Sequence, residues 1–142
     1  MKNFFFLFML LLITVSCEQS LENQPIDLYK TNLIGDWTVN AYIDNKMIYG
    51  PFTISTQTTL ENEAITIKDN GEFWKFQTKA ELVNSGDFFE TQFSVNEISS
   101  LETHINILDG SIIGNDSITF EIQFEDDEIP YGFTYKIIGH RK

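Results

Sequence analysis

Residues 117–124 read SITFEIQF, the most regular stretch of this sequence. Ile and Phe alternate there with Ser, Thr, Glu and Gln. A period of two places every apolar side chain on one face of an extended strand, whereas a helix needs a period near 3.6. The stretch therefore predicts an amphipathic β-strand, with Phe120 and Ile122 pointing into a core.

The same period recurs on both sides of this strand. Trp37, Val39 and Ala41 alternate with polar neighbours, and Phe133 and Tyr135 repeat the pattern near the C-terminus. Tight-turn residues separate these runs, and they include Asp44-Asn45, Asp69-Asn70-Gly71, Ser85-Gly86, Asp109-Gly110 and Gly114-Asn115-Asp116. We expect strands near 35–44, 46–54, 62–68, 72–80, 87–95, 103–108, 117–125 and 132–141. The prediction is an all-β protein, an antiparallel up-and-down barrel of about eight strands, with a two-sheet sandwich as the alternative.

The N-terminus carries a different signal. Lys2 precedes an unbroken apolar run over 4–13, which is too short to span a bilayer and has the length of a secretory signal. Val15-Ser16-Cys17 follows, and it resembles the lipobox of bacterial lipoproteins, in which the cysteine is diacylated before cleavage. We expect a signal peptide over 1–16, a lipidated Cys17 with a flexible tether over 17–32, and a barrel domain over 33–142.

Composition limits the partners. The formal net charge is −12, which argues against nucleic acid and against a peripheral hold on anionic lipid headgroups. The expected membrane link is therefore the lipid on Cys17. Glu18 follows that cysteine in place of the aspartate associated with retention in the inner membrane, so we expect an envelope protein at the outer membrane.

Two sets of residues resemble known families. Gly35-Asp36-Trp37 resembles the G-x-W signature of lipocalins, and that resemblance implies that Arg141 packs across Trp37 at the floor of the barrel. The stretch 115–124, Tyr135 and Gly139-His140-Arg141-Lys142 are similar to small lipoproteins of the family described as "lipid-binding putative hydrolase", and 71–76 matches that family's aromatic central strand. The resemblance implies a lipocalin-like fold.

No motif predicts catalysis. His104 and His140 are the two histidines, and neither lies in a recognisable motif, so we expect no catalytic base. The sequence lacks the ligands of a zinc site, because Cys17 is the one cysteine and two histidines are not enough. The acidic run 125–128 could hold calcium, although a solvated turn is the favoured interpretation. Asp116-Ser117-Ile118 looks like a bacterial O-glycosylation acceptor, with a turn entering a strand as the favoured alternative. The sequence thus predicts no metal and no cofactor.

The aromatic side chains leave two hypotheses open. In the first, the barrel binds a small hydrophobic or amphipathic ligand in its interior. In the second, the barrel is filled and the protein is a non-catalytic accessory subunit that binds an envelope partner. The residues that we expect to line the interior are Trp74, Phe76, Phe93, Phe120, Ile122 and Tyr135.

Overall fold

A computed structural model describes residues 32–58, 64–83 and 88–142. The predicted signal peptide, Cys17 and nearly all of the tether lie outside the described residues, as does the Ser85-Gly86 turn. Eight strands run through the described part of the chain. They are β1 (Gly35–Ile43), β2 (Lys46–Thr58), β3 (Ala64–Asp69), β4 (Phe76–Val83), β5 (Phe88–Val95), β6 (His104–Ile113), β7 (Ser117–Phe124) and β8 (Tyr135–Arg141).

Each strand pairs antiparallel with the next, and β8 returns to pair with β1. The prediction of an eight-stranded up-and-down barrel is therefore confirmed. The chain begins β1 and ends β8 at one end of the barrel, which we call the Trp37 end. The β3–β4, β5–β6 and β7–β8 connections lie at the other end, which we call the Phe73 end. No helix in the described ranges is long and apolar enough to cross a membrane.

The apolar residues of the alternating pattern point into the barrel, and the polar residues between them point outward. Along β7 the residues are alternately half-buried and fully buried, from Ser117 to Phe124. The largest inward side chains keep less than 2% of their surface exposed. A void wide enough for water would leave accessible surface on its lining, so these side chains face close-packed neighbours. They are Trp37, Phe76, Phe89, Phe120, Phe124, Leu33, Ile54, Ile65, Ile67, Ile105, Ile107 and Ile118.

Several strand boundaries differ from the prediction. The second strand continues to Thr58 instead of ending at 54, the fourth ends at Val83 instead of 80, and the eighth begins at Tyr135 instead of 132. The fourth strand was expected from residue 72 but begins at Phe76, because Asp69 holds 71–74 in a loop. The sixth was expected to end at Leu108, before a turn at Asp109-Gly110. It continues to Ile113, and the positive φ of Asp109 (48°) is accommodated as a register shift against β7. A turn dipeptide can bend a strand without ending it when both flanks remain paired.

Candidate functional site

The Trp37 end is closed by hydrogen bonds around one indole. Trp37 is fully buried and its Nε1 donates to Thr56 Oγ1 at 2.8 Å. The guanidinium of Arg141 lies over the ring and donates through Nη1 to the carbonyl of Ile34 and through Nε to that of Asn115, both at 2.7 Å. One arginine thus ties the last strand to the residues that precede β1. This arrangement closes the barrel floor around Trp37.

An aromatic cluster fills the Phe73 end. Phe73 lies at its centre, and its ring centroid is 5.2 Å from that of Phe52 and 5.4 Å from that of Tyr135. Trp74 stacks on Phe124 at 4.3 Å with nearly parallel planes. Such contacts add to the hydrophobic gain of burial, so the cluster stabilises this end of the barrel. We call it the aromatic plug, and its members are Tyr49, Phe52, Phe73, Trp74, Phe124 and Tyr135.

A buried carboxylate fixes the plug loop. Asp69 is fully buried and accepts four backbone N–H hydrogen bonds. Its Oδ1 accepts from Gly71 and Glu72, both at 3.0 Å, and its Oδ2 accepts from Phe73 at 2.9 Å and Trp74 at 2.7 Å. Charge-assisted bonds of this kind offset the cost of burying the carboxylate. They turn 71–74 across the barrel mouth and aim both aromatic rings inward.

The acidic run 125–128 supports the plug from outside. Asp126 Oδ1 accepts from Trp74 Nε1 at 3.3 Å, and Asp127 Oδ2 accepts from the Tyr135 hydroxyl at 2.6 Å. Burial raises the pKa of Tyr135, and the hydrogen bond to Asp127 raises it further, so this phenol stays protonated. At least two of these carboxylates therefore stabilise the fold. In the described ranges no three His, Cys, Asp or Glu side chains lie close enough to hold a metal ion.

The residues that were expected to bind ligand lie in three places, which are the barrel interior, the aromatic plug and, for Phe93, the outer surface. Phe76, Phe120 and Ile122 lie inside the barrel with 2% of their surface exposed or less. Tyr135 and Trp74 belong to the aromatic plug at its end. A ligand would reach the first three only if their packed neighbours moved apart. Their role as ligand contacts stays a prediction.

Phe93 lies outside the barrel, with 63% of its side chain exposed, so its placement in the interior was wrong. The cause is a bulge in β5, where Thr91 pairs with Ile107 and Ser94 with Ile105. From Thr91 to Ser94 the chain advances three residues along β5, while the paired stretch of β6 advances only two. The extra residue in β5 reverses which of the following side chains point into the barrel. Thr91 and Ser94 share the inward face of their buried partners, and Phe93 points out with a positive φ of 52°.

The same bulge opens the wall between β4 and β5. These strands pair over only three positions, from Glu81–Glu90 to Val83–Phe88. At the other side of the opening, Gln77 donates its N–H to Asn96 Oδ1 and accepts the N–H of Glu97 at 2.8 Å. Between these two bridges lies a groove of about 430 Å³. We call it the β4–β5 groove. Its lining residues are Ala64, Lys79, Ala80, Glu81, Leu82, Thr91 and Ser94.

The groove combines a partly apolar floor with two charged residues, Lys79 and Glu81. Ala64 and Leu82 are half-buried, and Leu82 shares the inward face of β4 with the fully buried Ala80. Lys79 Nζ forms a 3.2 Å ion pair with Glu97, and about half of the lysine side chain is exposed. Ion pairs this exposed contribute little stability, so the ammonium can exchange partners at small cost. The volume falls within the range of small-molecule sites.

A Ser–His contact lies on the outer surface at the Trp37 end. Ser117 Oγ is 3.3 Å from His140 Nδ1 and donates to Asp116 Oδ1 at 3.1 Å. In a hydrolytic triad the carboxylate orients the histidine, which accepts the proton of the serine. Here the carboxylate takes the hydroxyl hydrogen itself. The second histidine, His104, binds Glu125 through Nδ1 at 2.8 Å. Neither geometry activates a nucleophile.

Sequence reasoning did not single out the groove. Its signal is the set of small inward residues Thr78, Ala80, Thr91 and Ser94 on neighbouring strands, whereas most inward positions of β3, β6 and β7 carry Ile or Phe. That signal becomes readable only after the bulge in β5 assigns Thr91 and Ser94 to the inside.

Comparison with known proteins completes the description of the site. None of the curated proteins searched matches this chain. The model of one protein family, described as "lipid-binding putative hydrolase", matches residues 23–142, which is most of the chain and includes every described strand. This protein therefore belongs to the "lipid-binding putative hydrolase" family.

Proposed function

We propose that this protein is a membrane-tethered binding protein whose ligand, a small hydrophobic or amphipathic molecule, lies in the β4–β5 groove. The observation that carries the proposal is the opening of the barrel wall over small inward side chains, at a volume of about 430 Å³. Membership of a family described as lipid-binding agrees with an apolar ligand. The described interior is close-packed elsewhere, which favours the wall over the barrel centre as the binding place.

The groove suits a ligand with an apolar tail and a polar head. The tail would cover the half-buried Ala64 and Leu82, and each Å² of apolar surface removed from water contributes about 25 cal/mol. The head would lie at the rim, where the Lys79 ammonium can exchange Glu97 for an anionic ligand group. Thr91 Oγ1 and Ser94 Oγ are further polar groups that line the groove and can orient a ligand.

Filling the groove tests this proposal. Thr91→Phe places a ring in the opening, and we expect at least about tenfold weaker displacement of a fluorescent fatty acid by unlabelled fatty acids. Thr38→Phe makes the same chemical change at an exposed position on β1 and should leave binding unchanged. Equal affinity of both variants and the parent protein would place the ligand elsewhere, and absence of fatty-acid binding by the parent protein would refute the proposed ligand class.

The tether is a second part of the proposal. We infer a signal peptide over 1–16, diacylation of Cys17, a tether over 17–32 and an outer-membrane location, from the lipobox-like Val15-Ser16-Cys17 and from Glu18. Cells grown with radiolabelled palmitate should label the parent protein and not Cys17→Ala, and the label should sediment with outer-membrane vesicles. An unlabelled parent protein would contradict the anchor.

The packed interior favours one alternative function. A barrel whose described inward side chains are almost all buried can act as a rigid body that presents its outer surface. In that case the protein is an accessory subunit of an envelope complex and needs no ligand. Cross-linking in intact cells tests this alternative, because a subunit yields one adduct of defined mass at defined surface positions.

A further inference from the structure

Charge is segregated around the barrel. Residues 80–135, which include all of β5, β6 and β7, contain no lysine or arginine. The basic residues of the described chain lie on β2, β3, β4, β8 and the turns beside them, and they are Lys46, Lys68, Lys75, Lys79, Lys136, Arg141 and Lys142. The same 80–135 segment contains twelve acidic residues. The strands β5, β6 and β7, which we call the acidic wall, therefore carry three acidic residues, Glu90, Asp109 and Glu121, and no lysine or arginine, and most of the other acidic residues lie in the connections beside them.

Exposed apolar side chains lie on this acidic wall. Phe93 is 63% exposed and its ring packs edge-on against Tyr131, with centroids 5.5 Å apart. Val95 follows on the same outward face of β5, and Ile129 lies in the turn that contains Tyr131. We call these four residues the Phe93 patch. Apolar surface gathered in this way marks an interaction site more often than scattered single residues do.

The backbone holds the patch open at a cost in stability. Phe93 and Tyr131 both adopt positive φ, at 52° and 56°, a conformation that bulky side chains rarely take. Asn106 Oδ1 accepts the Phe93 N–H at 2.8 Å, and the Phe124 carbonyl accepts the Tyr131 N–H at 2.9 Å. The two strained residues thus present their rings at the surface by specific hydrogen bonds, although burial would stabilise the fold more.

Charge decides what can cover the patch. The run 125–128 immediately precedes Ile129, and Glu90 and Glu102 lie on or beside the same wall. Like charges facing each other weaken association, so a second copy of this wall or an anionic membrane would be repelled. A surface rich in lysine and arginine would be attracted, and it could receive the Phe93 ring between its charges. Aromatic anchors inside a charged rim are the usual form of a binding hot spot.

We propose that the Phe93 patch docks a basic protein partner that holds the Phe93 ring in an apolar pocket flanked by lysine or arginine. This inference depends on the alternative of an accessory subunit and not on ligand binding in the groove. It names the surface and the charge of the partner, which the alternative leaves open.

Photo-crosslinking in intact cells tests the proposal on the full chain. The photoreactive residue p-benzoyl-phenylalanine is placed at position 93 and, as a control, at position 47, because Met47 is 54% exposed on β2. We expect an adduct at 93 that maps to a lysine- or arginine-rich segment of one protein, at least five times more abundant than any adduct at 47. Glu90→Lys with Glu102→Lys should reduce it severalfold. An adduct with an acidic protein, lipid or a second copy, equal adducts at both positions, or no adduct would overturn the proposal.

A second variant separates docking from folding and from ligand binding. Asn tolerates positive φ, so Phe93→Asn should unfold at the same temperature as the parent protein or a higher one, and it should lose the partner. Fatty-acid displacement should stay unchanged in this variant, so a failure of docking and a failure of the groove give different results. Retention of the partner by a folded Phe93→Asn protein would contradict the patch.

Discussion

The guanidinium of Arg141 lies over the indole of Trp37, with Cζ 4.3 Å from the ring centroid. The two residues pair in register between β8 and β1, so this contact closes the barrel at the seam between its first and last strands. The same guanidinium donates to the carbonyls of Asn32, Ile34 and Asn115. One side chain therefore joins three parts of the chain that are distant in sequence.

Arg141→Ala should destabilise the fold by about 4 kcal/mol, from about 1 kcal/mol for each of three hydrogen bonds and about 1 kcal/mol for the cation–π contact. Arg141→Lys keeps a cation but not the planar fork of donors, and it should lose about half as much. Urea unfolding followed by tryptophan fluorescence measures both values. Lys136→Ala changes an exposed cation on the same strand and should cost less than about 0.5 kcal/mol. Equal losses at 141 and 136 would show that the seam contact is energetically neutral.

Asp69→Asn should destabilise the fold by about 3 kcal/mol, because the amide NH2 replaces one of the two oxygens that accept backbone N–H groups. The amide NH2 then faces two backbone N–H groups, and the two charge-assisted hydrogen bonds to the replaced oxygen are lost. The 71–74 loop should also loosen, which acrylamide quenching of Trp74 fluorescence would report. Asp44→Asn makes the same change in the exposed β1–β2 turn and should be close to neutral. An unchanged unfolding free energy in Asp69→Asn would mean that the loop is held by its aromatic rings alone.

Phe73→Ala removes the centre of the aromatic plug and should cost about 3 kcal/mol. The ring contacts five other aromatic side chains, namely Tyr49, Phe52, Trp74, Phe124 and Tyr135. Ile48→Ala, at an exposed position on β2, should cost less than about 1 kcal/mol. Fatty-acid affinity should be unchanged in Phe73→Ala, because the proposed groove lies in the barrel wall. A large gain in affinity would instead identify the plug as a barrier to an interior site.

Glu125 should make the stability of the protein depend on pH in the acid range. The His104 side chain and then the His104 backbone N–H donate hydrogen bonds to its carboxylate, and they lower the pKa of Glu125 below the usual range. The unfolded chain then binds more protons, so the contribution of Glu125 is complete above the unfolded pKa and is lost as pH falls through the folded pKa. Below about pH 4.3 the parent protein should lose stability more steeply than Glu125→Gln, as thermal unfolding against pH would show. The exposed Glu102→Gln should follow the parent curve.

The number of strands and the approximate position of each could be predicted from the pattern of residues. The two-residue period fixed which side of β1, β7 and β8 is buried, because a strand presents alternate side chains to opposite faces whatever surrounds it. Turn dipeptides such as Asp44-Asn45 fixed where the chain reverses, since they accept the positive φ that a tight hairpin needs. The resemblance of the C-terminal stretch to the "lipid-binding putative hydrolase" family is likewise confirmed by the match over 23–142.

The places where that pattern breaks depend on tertiary contacts. The bulge at Phe93 lies where β5 stays paired with β6 but no longer pairs with β4, and no local residue preference predicts it. Residues 72–74 were expected to open the fourth strand, yet four hydrogen bonds from 71–74 to the buried Asp69 and ring contacts from distant strands fold them over the barrel mouth. A groove, a plug and an exposed aromatic patch depend on which strands meet. These three features therefore depend on pairing between segments far apart in sequence, and the periodicity of a single segment could not predict them.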